Sequence, residues 1–158
     1  MADAFDASEL HWPLADRLHE EAAPVNLRQG FARLRDALRA ELELVLNTRR
    51  PRLRLPVEAR ELQRSLVAFG LPDLAGGVLA GENDAEDFRR AVEEAIRLFM
   101  PALGAPKVEL ADPAPTGACL RLRISATLHC GPERRPLAFE STLTPDARRF
   151  HVSDGGDG

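Results

Sequence analysis

Apolar residues recur at steps of three and four along the first part of the chain: Leu27, Phe31, Leu34, Leu38, Leu42, Val45 and Leu46. That spacing predicts a long amphipathic helix with one buried stripe, capped by Asn26 and stopped by Pro51. Arg39 and Glu43 stand four apart on it, at ion-pair spacing in the weaker order, cation first. A second helix is predicted from Pro56, with Leu62, Leu66 and Phe69 on one side and Gly70 as a left-handed C-terminal cap. Leu71-Pro72-Asp73-Leu74 then leaves it sharply. After a pliable stretch with Gly76, Gly77 and Gly81, Asp84 is a natural N-cap for a third helix, and Asp87 falls in its first turn. Phe88, Val92, Ala95, Ile96 and Phe99 form its stripe, and Pro101 ends it.

Beyond Pro101 the period changes from about 3.6 to 2. Lys107 to Ala111 alternates weakly. Leu120, Leu122, Ile124, Ala126 and Leu128 face one way, and Arg121, Arg123, Ser125, Thr127 and His129 the other. Gly131-Pro132-Glu133-Arg134 reads as a turn, and Leu137, Phe139 and Leu143 alternate on the return strand. The pattern predicts an α+β domain: about three helices packed on one face of a small antiparallel C-terminal sheet, a meander of about three strands built on this hairpin. Residues 1–24 read as an N-terminal arm and 25–152 as the single domain. Residues 153–158 have too little to bury and are expected to be disordered.

Composition narrows the function. The 158 residues, 44% apolar, suffice for one core. The formal charge of −4, from 25 acidic and 21 basic side chains spread along the chain, leaves no basic half to neutralise a phosphate backbone, so nucleic acid is not expected as a partner. No apolar run reaches the roughly 18 residues of a membrane helix, and the acidic start lacks the basic region of a signal peptide. A cytoplasmic address without membrane insertion is expected. Cys119 and Cys130 end one strand, about 36 Å apart at 3.3 Å per residue, too far for a disulfide. The basic residues are arginines apart from Lys107. A GC-rich genome explains that bias without function, although the planar fork of arginine also suits interfaces inside an assembly.

Catalytic chemistry finds little support. His11, His19, His129 and His151 show no metal-ligand spacing with either cysteine, and no Gly-rich loop with a following Lys-Ser or Lys-Thr cradles a phosphate, so no metal or cofactor is expected. His129 and Cys130 are sequence neighbours on a strand and point to opposite faces. Glu93 and Glu94 are candidates for the two carboxylates of glycoside hydrolysis, but Arg89, Arg90 and Arg97 on the same helix favour a solvated, charge-paired face. The strongest physical lead is the sheet, whose open edge could accept a strand from another chain. From the hairpin alone, an edge blunted by Arg121, Arg123, Pro132 and Pro136 is the favoured reading.

Three segments alter that balance: Leu42-Glu43-Leu44-Val45-Leu46-Asn47-Thr48-Arg49-Arg50, Arg64 through Phe69-Gly70-Leu71-Pro72-Asp73-Leu74, and Ala95 through Phe99-Met100-Pro101-Ala102-Leu103. Together they resemble the TssE family, the type VI secretion baseplate proteins related to the lysozyme-like wedge proteins of contractile phage tails. Leu14-Ala15-Asp16-Arg17-Leu18 is similar to the family's short N-terminal Asp-Arg-Leu element. The resemblance implies a non-enzymatic cytoplasmic subunit of the membrane-docked baseplate, beside TssF and TssG and near the VgrG hub. Its sheet would start the TssB–TssC sheath by strand exchange. The resemblance places wedge docking at Asn47, Arg49, Arg50, Met100, Pro101 and Ala102, and makes Gly70, Leu71, Pro72 and Asp73 the motif turn. Read onto the hairpin, it assigns sheath-strand contact to Arg121, Arg123, Ser125, Thr127 and Thr142. Where the family usually carries Glu-Pro-Arg this chain has Met100-Pro101-Ala102, and only Pro101 carries over. A peptidoglycan hydrolase of the lysozyme class and an orphan phage-like assembly adapter are the alternatives.

Overall fold

The computed structural model describes residues 27–51, 53, 56, 58–72, 82–111, 120–130, 133–144 and 149–155. The N-terminal arm, the Asn26 cap, Asp73, the glycines at 76, 77 and 81, Cys119, the Gly131-Pro132 turn and the last three residues lie outside them.

Two long helices carry most of the helical structure. Helix α1 (Leu27–Asn47) turns Leu34, Leu38, Leu42 and Val45 into the core, as their spacing requires. The region predicted as one second helix is instead a single four-residue helical turn, α2 (Arg60–Gln63), followed by a 3-10 turn at Leu66–Ala68. Ser65 separates them. Its backbone is extended and its hydroxyl oxygen accepts from the Val67 N–H at 3.3 Å, a local bond that competes with helix continuation. Leu62 and Leu66, expected on a buried side, are exposed. Helix α3 (Glu82–Phe99) buries Phe88, Val92, Ala95 and Ile96. It begins two residues before the predicted cap, so Asp84 and Asp87 both lie inside it, near the N-terminal end that favours acidic side chains.

The sheet has four antiparallel strands in the order β1-β2-β3-β4: β1 (Leu103–Leu110), β2 (Leu120–Cys130), β3 (Glu133–Thr144) and β4 (Arg149–Asp154). The fold is α+β. Of the helices, α1 and α3 cover the apolar face, while α2 buries no residue. β4 adds a strand to the predicted meander, with Phe150 and Val152 buried and their neighbours exposed. It also corrects the predicted tail, because Ser153 and Asp154 belong to the strand. Gly155 is buried, and its N–H donates to the Ala138 carbonyl at 2.9 Å. One continuous core joins both long helices to all four strands, with Phe88 stacked on Phe150 at 5.9 Å between centroids.

Candidate functional site

Three chain segments meet where the two long helices end. The main chain after α1 pairs in parallel with the segment after the 3-10 turn: the Leu71 N–H donates to the Thr48 carbonyl at 2.8 Å, and the Arg50 N–H to the Leu71 carbonyl at 2.7 Å. Gly70 makes this possible. Its φ is +95°, and a Cβ there would sit 2.3 Å from the Thr48 carbonyl oxygen, so no other residue fits without moving backbone. Phe69 packs edge-on against Phe99 with centroids 5.1 Å apart, which ties the lock to the end of α3. The Leu-Asn-Thr-Arg run and the Gly-Leu-Pro turn, apart in sequence, are thus one structural unit.

At both edges of the sheet, side chains of the covering helices bond outward-facing main chain, at Phe150 and Val152 on one side and Val108 on the other. In β4 the Gly155–Ala138 bond sets the phase of the ladder, so Phe150 and Val152 turn their main-chain groups away from β3. Asn47 on α1 meets them like a strand. Its Oδ1 accepts from the Phe150 N–H at 2.8 Å, and its Nδ2 donates to the Phe150 carbonyl at 2.9 Å. One turn earlier, Glu43 Oε2 accepts from the Val152 N–H at 3.0 Å and lies 3.4 Å from His151 Nδ1. Glu43 therefore serves β4 rather than the predicted partner Arg39, which reaches Asp36 at 3.6 Å instead.

At the opposite edge the Ala111–Arg121 bond sets the phase, and Val108 turns outward from β2. Arg89 on α3 donates to the Val108 carbonyl at 3.2 Å, and the Val108 N–H bonds to the Glu93 carboxylate. The first part of β1 is blunted further by a register shift between Gly104 and Lys107, around Ala105 at φ 48° and Pro106.

These facts relocate the residues assigned to the sheath. Arg121, Arg123, Ser125, Thr127 and Thr142 lie on the inner strands, not on an open edge. Ser125 stands between Lys107 and Ala138, Thr127 between Gly104 and Pro136, Arg123 between Glu109 and Glu140, and Thr142 between Arg121 and His151. Arg121 faces Thr142, and its carbonyl is taken by Ala111. The hairpin cannot receive a strand there because each side is already paired.

The docking residues divide similarly. Met100 is wholly buried in the core, so it is not a surface contact. Ala102 is partly buried against the same cluster, and Pro101 is exposed. The amide of Asn47 is committed to β4 and to the Glu43 carbonyl, 2.8 Å away. Arg49, Arg50 and Pro72 are exposed, whereas Gly70 and Leu71 are buried. The edge-closing roles of Glu43, Asn47, Arg89 and Glu93 escaped sequence reasoning, because they depend on which strand each helix crosses.

The outer face of α3 carries a ladder of ion pairs. Arg89 contacts Glu86 and Glu93 at 2.8 Å each, Arg90 reaches Glu86 at 3.0 Å, and Arg97 reaches Glu93 at 2.9 Å. The Arg89 hydrogen bond leads in drawing the Glu86 carboxyl down to about 2, against the opposing cost of desolvation. For Glu93, burial opposes ionisation, but bonds from Arg97, Arg89 and the Val108 N–H outweigh it and hold the carboxyl below its usual range. A glycosidase general acid needs its pKa raised, so the shift at Glu93 runs the wrong way for that one role. Among the described residues there is no cluster of His, Cys, Asp or Glu able to hold a metal ion, and no helix long and apolar enough to cross a membrane.

Helix side chains bonded to neighbouring strands, motif segments built into the scaffold and an apolar stretch left outside the core characterise this α+β module. Residues 32–133, well over half of the chain, match the family described as baseplate wedge protein gp25, and the chain belongs to that family. It is a family of structural baseplate proteins of the phage type. No curated protein and no solved structure matches the chain.

Proposed function

We propose that this wedge-family protein serves in a type VI secretion baseplate, as the TssE-like subunit that braces the wedge beside TssF and TssG, near the VgrG hub and on the cytoplasmic side. The observation that carries this reading is the lock between Thr48–Arg50 and Leu71. It brings two of the three segments resembling TssE into one unit, inside the region that matches the wedge family.

In the same reading the subunit starts the TssB–TssC sheath by strand addition, with a different acceptor from the hairpin. β4 faces β3 only from Phe139 to Thr144, and Gly155 adds Ala138. The stretch Glu133–Leu137 of β3 has no described strand on that side. By the phase of the ladder it turns the Arg134 N–H and carbonyl and the Pro136 carbonyl toward an incoming chain. With Phe150, Val152 and Val108 already engaged by helix side chains, this stretch is the more accessible acceptor.

Deleting the gene in its own host and counting fluorescent sheaths tests the proposal. Sheaths should vanish, and the wild-type gene should restore them. An Arg134→Pro variant that still co-purifies with TssF and TssG should restore few or none. Normal sheath numbers without the protein would refute the proposal, and normal numbers with the folded Arg134→Pro variant would refute this acceptor.

A further inference from the structure

Among the described residues, the large hydrophobic side chains left exposed are Leu44, Leu53, Leu62, Leu66 and Val67, all within one span of the chain. Leu66 is 86% exposed and Leu53 60%. Helix α2 buries nothing, and the 3-10 turn buries only Ala68. Yet the sequence here has helical apolar spacing, with Leu62, Leu66 and Phe69 on one side. Of these three, only Phe69 packs against the core cluster. The segment is nevertheless held in place. The Gly70–Leu71 lock fixes its far end, and Gln63 Nε2 donates to the Pro56 carbonyl at 3.3 Å. An anchored segment with an apolar side turned to solvent is a surface awaiting a partner.

Charge indicates what kind of partner. From Arg49 to Arg64 the sequence holds six arginines against two glutamates, in a chain whose total is −4. Arg50, Arg60 and Arg64 are exposed on the same segment as the leucines. We propose that Leu62, Leu66 and Val67 form the docking surface for an amphipathic segment of the wedge core, apolar on one face and acidic along its borders. The inference rests on the wedge reading above and names the surface that reading leaves open. Docking supplies the apolar contact that the helical spacing lacks in the free chain, and it joins α2 to the 3-10 turn as one helix. The arginines set orientation and speed encounter, while the leucines hold the complex.

Binding of the full-length protein to its own TssF–TssG complex, measured with immobilised complex at two salt concentrations, tests this. Leu62→Glu with Leu66→Glu should weaken binding by at least about tenfold while changing Tm little, since Leu62 is half-exposed and Leu66 almost wholly so. Arg60→Glu with Arg64→Glu should slow association and flatten its salt dependence. Should the leucine double variant lose its fold, Leu66→Ser is read in its place and should weaken binding too. Equal binding by wild type and the folded leucine variants would overturn the docking surface and leave the wedge reading intact. No binding by the wild type would refute the wedge reading, and the inference with it.

Discussion

Helix α3 and the segment from Arg60 to Phe69 carry the same kind of apolar period, but only one of them becomes a continuous helix. In α3, Phe88, Val92, Ala95 and Ile96 meet the core, and the helix runs unbroken for 18 residues. In the shorter segment Leu62 and Leu66 meet solvent, and only a four-residue turn and a 3-10 turn form. A short helix is marginal alone, so tertiary burial decides whether the period is realised. The contrast separates apolar residues that build the domain from those the domain leaves exposed.

Equivalent truncations in the two regions give the largest contrast. Ile96→Ala on α3 should cost about 2–5 kcal/mol in urea unfolding, whereas Leu66→Ala should stay within about 0.5 kcal/mol. Comparable losses would mean that the segment is part of the core after all. Gly70→Ala tests the anchor of the segment. A left-handed backbone and a Cβ 2.3 Å from the Thr48 oxygen should cost about 1–3 kcal/mol and release the Arg50 and Leu71 amides to hydrogen exchange.

Asn47→Ala probes the opposite behaviour, a polar residue spent inside the domain. Leaving the Phe150 N–H and carbonyl without their partner should cost about 1–3 kcal/mol and speed exchange at Phe150 more than at Phe139. The smallest effect belongs to the outer face of α3. The Glu86 carboxyl lies near 2 in the folded chain against an ordinary 4.5, so its contribution is present above pH 4.5 and is lost as pH falls toward 2. A fall in Tm across that window should be shallower in Glu86→Gln.

Much of the fold was legible because burial and period agree. The stripes of α1 and α3 and the alternation of β2 all point into one core. The misplaced features share a cause. Nothing local distinguishes a helical period that finds a core from one that does not, and Ser65 breaks its segment by a bond to the backbone two residues on. β4 was missed because its alternation, Phe150 and Val152 alone, is too short to stand out. The helix side chains that cap Phe150 and Val152 were invisible, since Asn47 and Glu43 act on residues more than 100 positions away. Met100 misled for a related reason. Its motif position implies surface, whereas its side chain fills the core between helix and sheet.

Hydrogen–deuterium exchange of the protein, free and bound to the proposed TssF–TssG partner, decides whether residues 60–69 are a docking surface. Amides of residues 60–69 should exchange rapidly in the free protein and become protected in the complex, while those in the middle of α3 stay slow in both. Protection elsewhere, with residues 60–69 still exchanging rapidly in the complex, would place the contact on another face.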